Sequence, residues 1–241
     1  MSLREFWIAL QFLTRLPTPR VADMRPDDLA RAMIFFPAVG LVLGVCLALI
    51  GRILHGHDAW MVALAVVAAW IWITGSLHLD GLGDVADAFG AAHGKPDRFI
   101  AVLDDPHAGN FAVVAIALQI AAKLVLVTHL PASIALWALV LIPAWARWGT
   151  LVWSRVLVSL KPGLGASVAN GVDWPRIGAW ALALIVLAVI GARPTLLALI
   201  VVPAVALYWQ SRLGGITGDG LGASIEVTET VLLCACVFSS S

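Results

Sequence analysis

The chain has 241 residues, of which 61% are hydrophobic and only 12% are charged, and its mean hydropathy is +0.95. Soluble domains are about 45–50% apolar and about 25% charged, so this composition excludes a soluble globular protein and predicts an integral membrane protein. The formal net charge is zero, which argues against a nucleic-acid partner. The apolar residues form long blocks of Ala, Val, Leu and Ile, which favours membrane helices over a β-barrel.

Residues 3–16 mix apolar and charged side chains at helical spacing and are too short to cross a bilayer, so they predict an N-terminal helix in the membrane interface. Pro17 and Pro19 end this helix, because proline cannot continue it. Apolar blocks then predict membrane spans over residues 32–53, 58–77, 110–128, 132–153, 177–192 and 194–209, and a final helix that ends at Phe238. We expect an all-α, polytopic transmembrane bundle of about six to seven spans. Residues 1–241 form one integral membrane domain in this interpretation.

The positions of the Lys and Arg side chains predict the orientation of the bundle. If the N-terminus is cytoplasmic, eleven of these side chains lie in inner loops and only Arg52 and Arg193 lie in outer ones. Positive charge accumulates in cytoplasmic loops, so we expect the N-terminus on that side. The same orientation places two acidic stretches, around Asp80 and around Asp219, at the cytoplasmic face.

The acidic stretch after the second span carries the strongest functional signal. Asp80, Asp84 and Asp87 stand at i, i+4 and i+7 and share one helix face. Three like charges repel unless a cation lies among them, and Mg²⁺ is bound by one or two carboxylates plus substrate phosphates. The stretch predicts metal-assisted chemistry on a phosphorylated substrate, with a solvated helix end as the alternative. Gly81 and Gly83 are expected to let a phosphate or metal approach the backbone closely.

Further polar residues lie in or beside the later spans. Asp219 is expected to cap the final helix, a role compatible with metal binding, and Glu226 would share its face and point into the bundle. Lys123 and Arg147 lie inside apolar spans, so we expect them to pair with substrate phosphate or with the carboxylates. Arg15, beside prolines at the same face, is a weaker candidate of the same kind.

His78 precedes Asp80 by two residues, and two roles stay open for it: a hydrogen-bonded structural residue or a catalytic base. Zinc is not expected, because no cysteine is near and the candidate ligands are oxygens.

These residues resemble the signature of the cobalamin synthase family, the adenosylcobinamide-GDP ribazoletransferases. The central match is Gly-x-x-His-Leu-Asp-Gly-Leu-x-Asp-x-x-Asp over residues 75–87, and the resemblance extends over nearly the whole chain. The other matching positions are Phe12-Leu13-Thr14-Arg15-Leu16-Pro17, Phe36-Pro37-x-x-Gly40, Lys123, Arg147, Thr217-Gly218-Asp219, Gly222-Ala223 and Glu226. One departure stands out: where the family has Asp-Ser-Arg-x-Gly, this chain has Asp105-Pro106-His107-Ala108-Gly109, which keeps the aspartate and lacks the arginine.

The resemblance implies an enzyme that joins α-ribazole, or its 5′-phosphate, to adenosylcobinamide-GDP and releases GMP. It also implies dependence on Mg²⁺ and a location in the bacterial inner membrane. The residues expected to hold the metal are Asp80, Asp84, Asp87 and Asp105. The residues expected to act in catalysis are Asp84, Asp87, His78 and Arg147. The residues expected to bind the substrates are Lys123, Arg15, Asp219 and Glu226. A carboxylate or His78 would take the proton of the attacking 5′-hydroxyl.

The expected partners are these small-molecule substrates and the lipid bilayer, and a homo-oligomer stays an open alternative. Two other function classes also stay open. A CDP-alcohol phosphotransferase uses an acidic helix with Asp-Gly spacing, but its motif continues with Ala-Arg, whereas Leu82-Gly83-Asp84 follows here. A cation-coupled transporter would tend to show repeats and sites at the membrane midplane, whereas these acids cluster at one membrane edge.

Overall fold

The computed structural model describes residues 2–19, 21, 25, 27–92, 96–103, 109–161 and 172–239. These residues are mostly helical and include only two short strands, which confirms the all-α prediction. The helices are α1 (Leu3–Leu13), α2 (Asp28–Ala32), α3 (Phe36–Ile53), α4 (Ala59–Thr74), α5 (Leu77–Ala92), α6 (Pro96–Val102), α7 (Asn110–Thr128), α8 (Ala135–Val156), α9 (Trp174–Gly191), α10 (Ala198–Leu213) and α11 (Gly218–Phe238). Short 3₁₀ helices cover Met33–Phe35 and Arg193–Leu197, and two-residue strands lie at Val158–Ser159 (β1) and Gly215–Ile216 (β2).

Six helical segments in the described part of the chain are long and apolar enough to cross a membrane. They are Asp28–Ile53, Asn110–Thr128, Ala135–Val156, Trp174–Gly191, Arg193–Leu213 and Gly218–Phe238. The α4–α5 pair adds a seventh if its two helices are counted as one bent span. The protein is therefore a multi-pass membrane protein, and the predicted number of about six to seven spans is confirmed.

A sharp corner separates α4 from α5. The second span was expected to reach residue 77, but α4 ends at Thr74 and the helix axis turns by 85°. Gly75 caps α4 in the left-handed conformation with φ 62°, and Ser76 also has φ 62°. Because a right-handed helix cannot continue through positive φ values, α5 starts in a new direction. The acidic helix therefore does not extend the second span, and it packs instead against α7 and α11.

The N-terminal helix is fixed to the bundle by a buried carboxylate. Asp28, which is 1% exposed, accepts hydrogen bonds from Arg4 Nη1 at 2.7 Å and from Arg31 Nη2 at 2.6 Å. Arg4 belongs to α1, whereas Asp28 and Arg31 belong to α2, so this ion pair holds the two helices together. The predicted N-terminal helix is confirmed, although it ends at Leu13 rather than at residue 16.

Helix α8 forms the centre of the bundle and packs most extensively against α3. Gly40 and Gly44 of α3 lie against its backbone, and a Cβ atom on Gly40 would lie 2.6 Å from the Cα of Ala144. Small residues spaced by four let membrane helices approach this closely.

Strand β1, just after α8, pairs in parallel with β2, just before α11, with Val158 opposite Gly215. This pairing holds the segment that contains Lys161 at the same end of the bundle as the start of α11.

Candidate active site

The two acidic stretches meet where α5 and α11 begin. A Cβ atom on Gly81 would lie 2.8 Å from the carbonyl oxygen of Asp219, and one on Gly222 would lie 3.4 Å from the Cα of His78. The expectation that the Asp80 and Asp219 stretches lie at one end of the bundle is confirmed. The prediction that Gly81 and Gly83 let a phosphate or metal approach the backbone is wrong. A Cβ atom on Gly81 would meet α11, and one on Gly83 would meet α7. These glycines bring helices together and do not open the backbone to a ligand.

Asp80, Asp84, Asp87 and Asp219 bring like charges together at this end, and we call these four residues the acidic group. The charges of Asp80, Asp219 and Asp87 all act on Asp84, and the charge of Lys161 acts on it in the opposite sense. Asp80 is exposed, whereas Asp84 and Asp219 are partly buried. The prediction that Asp219 caps α11 is wrong, because Thr217 is the N-cap and its hydroxyl accepts a hydrogen bond from the Gly220 N–H, while Asp219 lies in the first turn. Sequence analysis did not single out Lys161, because the pairing of β1 with β2 brings it here and leaves no local pattern.

Asp87 has a structural partner that its spacing did not predict. Its carboxylate accepts hydrogen bonds from the backbone N–H groups of Gly109, at 2.5 Å, and Ala112, at 3.0 Å. Gly109 is the N-cap of α7, whose first backbone N–H groups have no partners within the helix. A carboxylate at this end also interacts favourably with the helix dipole. Asp87 therefore ties α5 to the start of α7.

The fit of these residues to Mg²⁺ depends on their donor chemistry. Within the described residues, no three His, Cys, Asp or Glu side chains are grouped closely enough to hold a metal ion by themselves. Asp105, the fourth expected ligand, lies outside the described residues. Asp80, Asp84 and Asp219 nevertheless supply the oxygen ligands that Mg²⁺ prefers, and Mg²⁺ usually completes its shell with water and substrate phosphate. The residues fit an ion that binds together with a phosphorylated substrate.

A second polar group lies deeper, between α7, α8 and α11. Lys123 Nζ is 2.7 Å from Glu226 Oε2 and 2.6 Å from Glu229 Oε2, and Arg147 Nη1 is 2.7 Å from Glu229 Oε1. Gln119 donates a further hydrogen bond of 2.7 Å to Glu226 Oε2. All five side chains are buried, and the two positive charges balance the two negative ones. We call these five residues the buried network.

The buried network resolves one alternative that the sequence left open. Lys123 and Arg147 pair with carboxylates, and those carboxylates belong to α11 and not to α5. Glu226 points into the bundle as expected. A contact of Lys123 or Arg147 with substrate phosphate stays a prediction, and neither side chain is exposed here. Sequence analysis did not select Glu229, although its position three residues after Glu226 places it on the same helix face.

His78 lies beside the buried network, two residues before Asp80 in the chain. It is 3% exposed, and its Nδ1 lies 3.3 Å from Arg147 Nη2. An arginine guanidinium can only donate, so Nδ1 accepts, and in a neutral imidazole the proton then lies on Nε2. A histidine in this state is a hydrogen-bond donor at Nε2, which favours its structural role over the role of a base.

Arg15 lies at the α4–α5 corner. Its backbone N–H donates to the carbonyl of Ile73 at 2.7 Å, and its exposed side chain lies directly over Gly75. The corner places this cation at the start of the acidic helix. Arg15 is therefore accessible at this corner, and its contact with a substrate phosphate stays a prediction.

Comparison with known proteins gives the family. The model of the cobalamin-5-phosphate synthase family matches residues 5–237. A protein of Thiobacillus denitrificans named adenosylcobinamide-GDP ribazoletransferase is 48% identical, over 96% of this chain and 94% of its own length. A relative of the same name from Novosphingobium aromaticivorans is 48% identical, over 96% of this chain and 95% of its own length. Another from Pseudomonas aeruginosa is 34% identical, over 97% of this chain and 98% of its own length. No solved structure matches the chain significantly.

The match spans nearly all of α1 to α11, so it includes the acidic helix, the start of α11 and the buried network alike. It confirms the resemblance found from the motifs around Asp80 and Asp219. The chain belongs to the cobalamin-5-phosphate synthase family, and like its named relatives it is an enzyme.

Proposed function

We propose that this protein joins ribazole, or ribazole phosphate, to adenosylcobinamide-GDP and releases GMP, forming adenosylcobalamin or its phosphate. The observation that carries the proposal is the meeting of the Asp80 and Asp219 stretches at one end of the bundle, in a chain whose relatives share this activity in their names. A cluster of carboxylates at a membrane edge suits a reaction that breaks a diphosphate, because these residues would hold a metal ion that would neutralise charge on the phosphates.

The bonds that change define what the site has to do. A ribose hydroxyl oxygen bonds to the phosphorus that carries cobinamide, and the bond from that phosphorus to the bridging oxygen breaks, so that GMP leaves with this oxygen. The 5′-hydroxyl expected from the sequence is blocked in ribazole 5′-phosphate. For that substrate the nucleophile is therefore a secondary hydroxyl of the ribose, and the 5′-phosphate survives in the product.

Asp80, Asp84 and Asp219 are the residues that would hold Mg²⁺ at this end, where it would neutralise the diphosphate. A carboxylate of this group takes the proton of the attacking hydroxyl, since the tautomer that Arg147 imposes on His78 leaves no acceptor at Nε2. Arg15 would contact a phosphate near the α4–α5 corner, and its exposed side chain beside Gly75 supports this role. Lys123 and Arg147 act indirectly: their ion pairs with Glu226 and Glu229 hold α7, α8 and α11 together next to the site.

We also propose that the acidic end faces the cytoplasm in a bacterial inner membrane. The unequal distribution of Lys and Arg supports this orientation. Asp27, on the acidic side of the bundle, and His57, in the turn between α3 and α4, are both exposed. A cysteine at position 57 should react with a membrane-impermeant maleimide added to spheroplasts, and one at position 27 should react only after lysis. The opposite result would reverse the orientation.

The activity is tested with the purified protein in detergent, adenosylcobinamide-GDP, ribazole and Mg²⁺. We expect GMP and a cobalamin product in equal amounts, both with ribazole and with ribazole 5′-phosphate. No product with either acceptor would contradict the proposal, and transfer from a CDP-alcohol instead would assign the acidic group to a different phosphotransferase.

A further inference from the structure

A cavity of about 240 Å³ lies between the N-terminal helices and the starts of α5 and α11. Its wall is mostly apolar. The residues that form this wall include Phe12, Leu29, Met33, Phe36, Leu221 and Ile225. Asp80 and Asp219 line the same cavity, so its polar side belongs to the acidic group that we assign to phosphate transfer.

The size of the cavity limits what can occupy it. Pockets that enclose a whole small molecule usually measure about 300–1,000 Å³, so this one suits a single ring system better than a complete nucleotide or a corrinoid. Two aromatic residues contribute to the wall, Phe12 and Phe36, whose rings are stacked with centroids 5.9 Å apart and planes 17° apart. A flat, apolar ring is the chemical group that such a wall accommodates.

The cavity also has one polar residue with unused hydrogen-bonding capacity. His78 is one of the residues that line the cavity, and its Nε2, which lies beneath the cavity surface, has no hydrogen-bond partner among the described residues. The contact of Nδ1 with Arg147 assigns the proton to Nε2, which makes this atom a donor. A buried donor without a partner carries a free-energy cost, which an acceptor atom of a ligand would remove by displacing the atoms that cover Nε2.

We propose that this cavity binds the benzimidazole base of ribazole and that His78 Nε2–H donates to the ring nitrogen that is not bonded to ribose. This inference rests on the proposed function. The base is flat and apolar apart from that one nitrogen, which carries an in-plane lone pair. Guanine, the other base in the reaction, has several donors and acceptors that an apolar wall would leave unpaired. With the base in the cavity, the attached ribose reaches the end where Asp80 and Asp219 lie.

A first test fills the cavity. Leu221, which is partly buried, is replaced by tryptophan, and the same change at Leu207, which is 70% exposed on α10, serves as the control. We expect Leu221→Trp to raise the KM for ribazole about tenfold or more, since a lost fit of about 1.4 kcal/mol or more has this effect. The KM for adenosylcobinamide-GDP should not change. The KM of Leu221→Trp should rise less for the riboside of unsubstituted benzimidazole, because this compound is smaller than ribazole.

A second test addresses the hydrogen bond. The wild-type protein should prefer ribazole over an analogue in which the free ring nitrogen is replaced by C–H, by about tenfold in KM. His78→Phe should abolish this preference and His78→Gln should retain part of it, because glutamine keeps a donor. A defect that is only structural would lower kcat for both compounds and leave their ratio unchanged.

The outcomes separate the two proposals. If the wild-type protein releases no GMP, the proposed function fails. If it is active but Leu221→Trp leaves the KM for ribazole unchanged, the cavity does not hold the base, and a lipid chain becomes its candidate occupant. If His78→Phe leaves the preference for the ring nitrogen intact, the assignment of the donor is wrong.

Discussion

Gly81 of α5 lies against the backbone carbonyl of Asp219 at the start of α11, so closely that a Cβ atom there would be 2.8 Å from the oxygen. Gly81→Ala should therefore push the two helices apart and displace Asp80 and Asp84 from Asp219. Because misplacement by about 1 Å can cost about a hundredfold in rate, we expect a loss of about 10- to 100-fold in kcat. The measurement is GMP release with saturating substrates.

Gly178→Ala is the matched control, because a Cβ atom at Gly178 of α9 would have no neighbour within 4 Å. Its turnover should equal that of the wild type. Normal turnover by Gly81→Ala would show that the close approach of α5 and α11 is not needed for the reaction.

Much of this arrangement could be predicted from the sequence. The apolar blocks located the membrane helices to within a few residues, because a span of about 20 apolar residues is a strong and local signal. The i, i+4, i+7 spacing of Asp80, Asp84 and Asp87 predicted that the three residues lie on one helix. The meeting of Asp80 with Asp219 followed from the orientation of the spans, since both come after an even number of predicted crossings.

The buried network predicts a strong coupling between Lys123 and Glu226. Lys123→Met should lower the free energy of unfolding by about 3–5 kcal/mol, because it leaves a buried carboxylate without its cation. Adding Glu226→Gln should recover part of the loss, since the double variant is again neutral and keeps the Arg147–Glu229 pair. The measurement is thermal unfolding of the single and double variants in detergent.

The control for this cycle is Arg176→Gln, which breaks an exposed ion pair with Asp173. Exposed pairs contribute about 0.2–1 kcal/mol, so its unfolding midpoint should stay close to that of the wild type. Purely additive losses in the Lys123 and Glu226 variants would contradict the coupling.

The hydrogen bonds of Asp87 predict that its role is mainly structural. Asp87→Asn keeps one acceptor oxygen but loses the charge at the N-terminus of α7, so it should cost about 0.5–2 kcal/mol of stability. Its loss of activity should be smaller than that of Asp84→Asn. Both thermal unfolding and GMP release are measured.

Asp58→Asn is the comparison for this variant, because Asp58 caps α4 through the backbone N–H groups of Trp60 and Met61, on a helix end away from the acidic group. Asp58→Asn should lose less stability than Asp87→Asn, because Asp58 accepts both N–H groups at Oδ1, which asparagine keeps, whereas Asp87 uses both of its oxygens. If Asp87→Asn abolished activity and left stability unchanged, Asp87 would be a metal ligand, as its sequence spacing alone indicated.

Other features lay beyond sequence reasoning for physical reasons. The 85° corner depends on positive φ values at Gly75 and Ser76, and a serine gives no signal for such a conformation. The contact between Asp87 and Gly109 joins residues 22 positions apart through the packing of α5 on α7. The cavity is formed by residues from four separate regions of the chain, so no local pattern predicts it.

The most direct test of the account is the Mg²⁺ dependence of GMP release by the wild type and by Asp84→Asn. Asp27→Asn is the control, because Asp27 is exposed and its side chain caps no helix. We expect release with Mg²⁺ and none with a chelator, normal release by Asp27→Asn, and a loss of about a hundredfold or more for Asp84→Asn with an unchanged unfolding midpoint. Near-normal release by Asp84→Asn, or release in the presence of the chelator, would contradict the assignment of the acidic group to phosphate transfer.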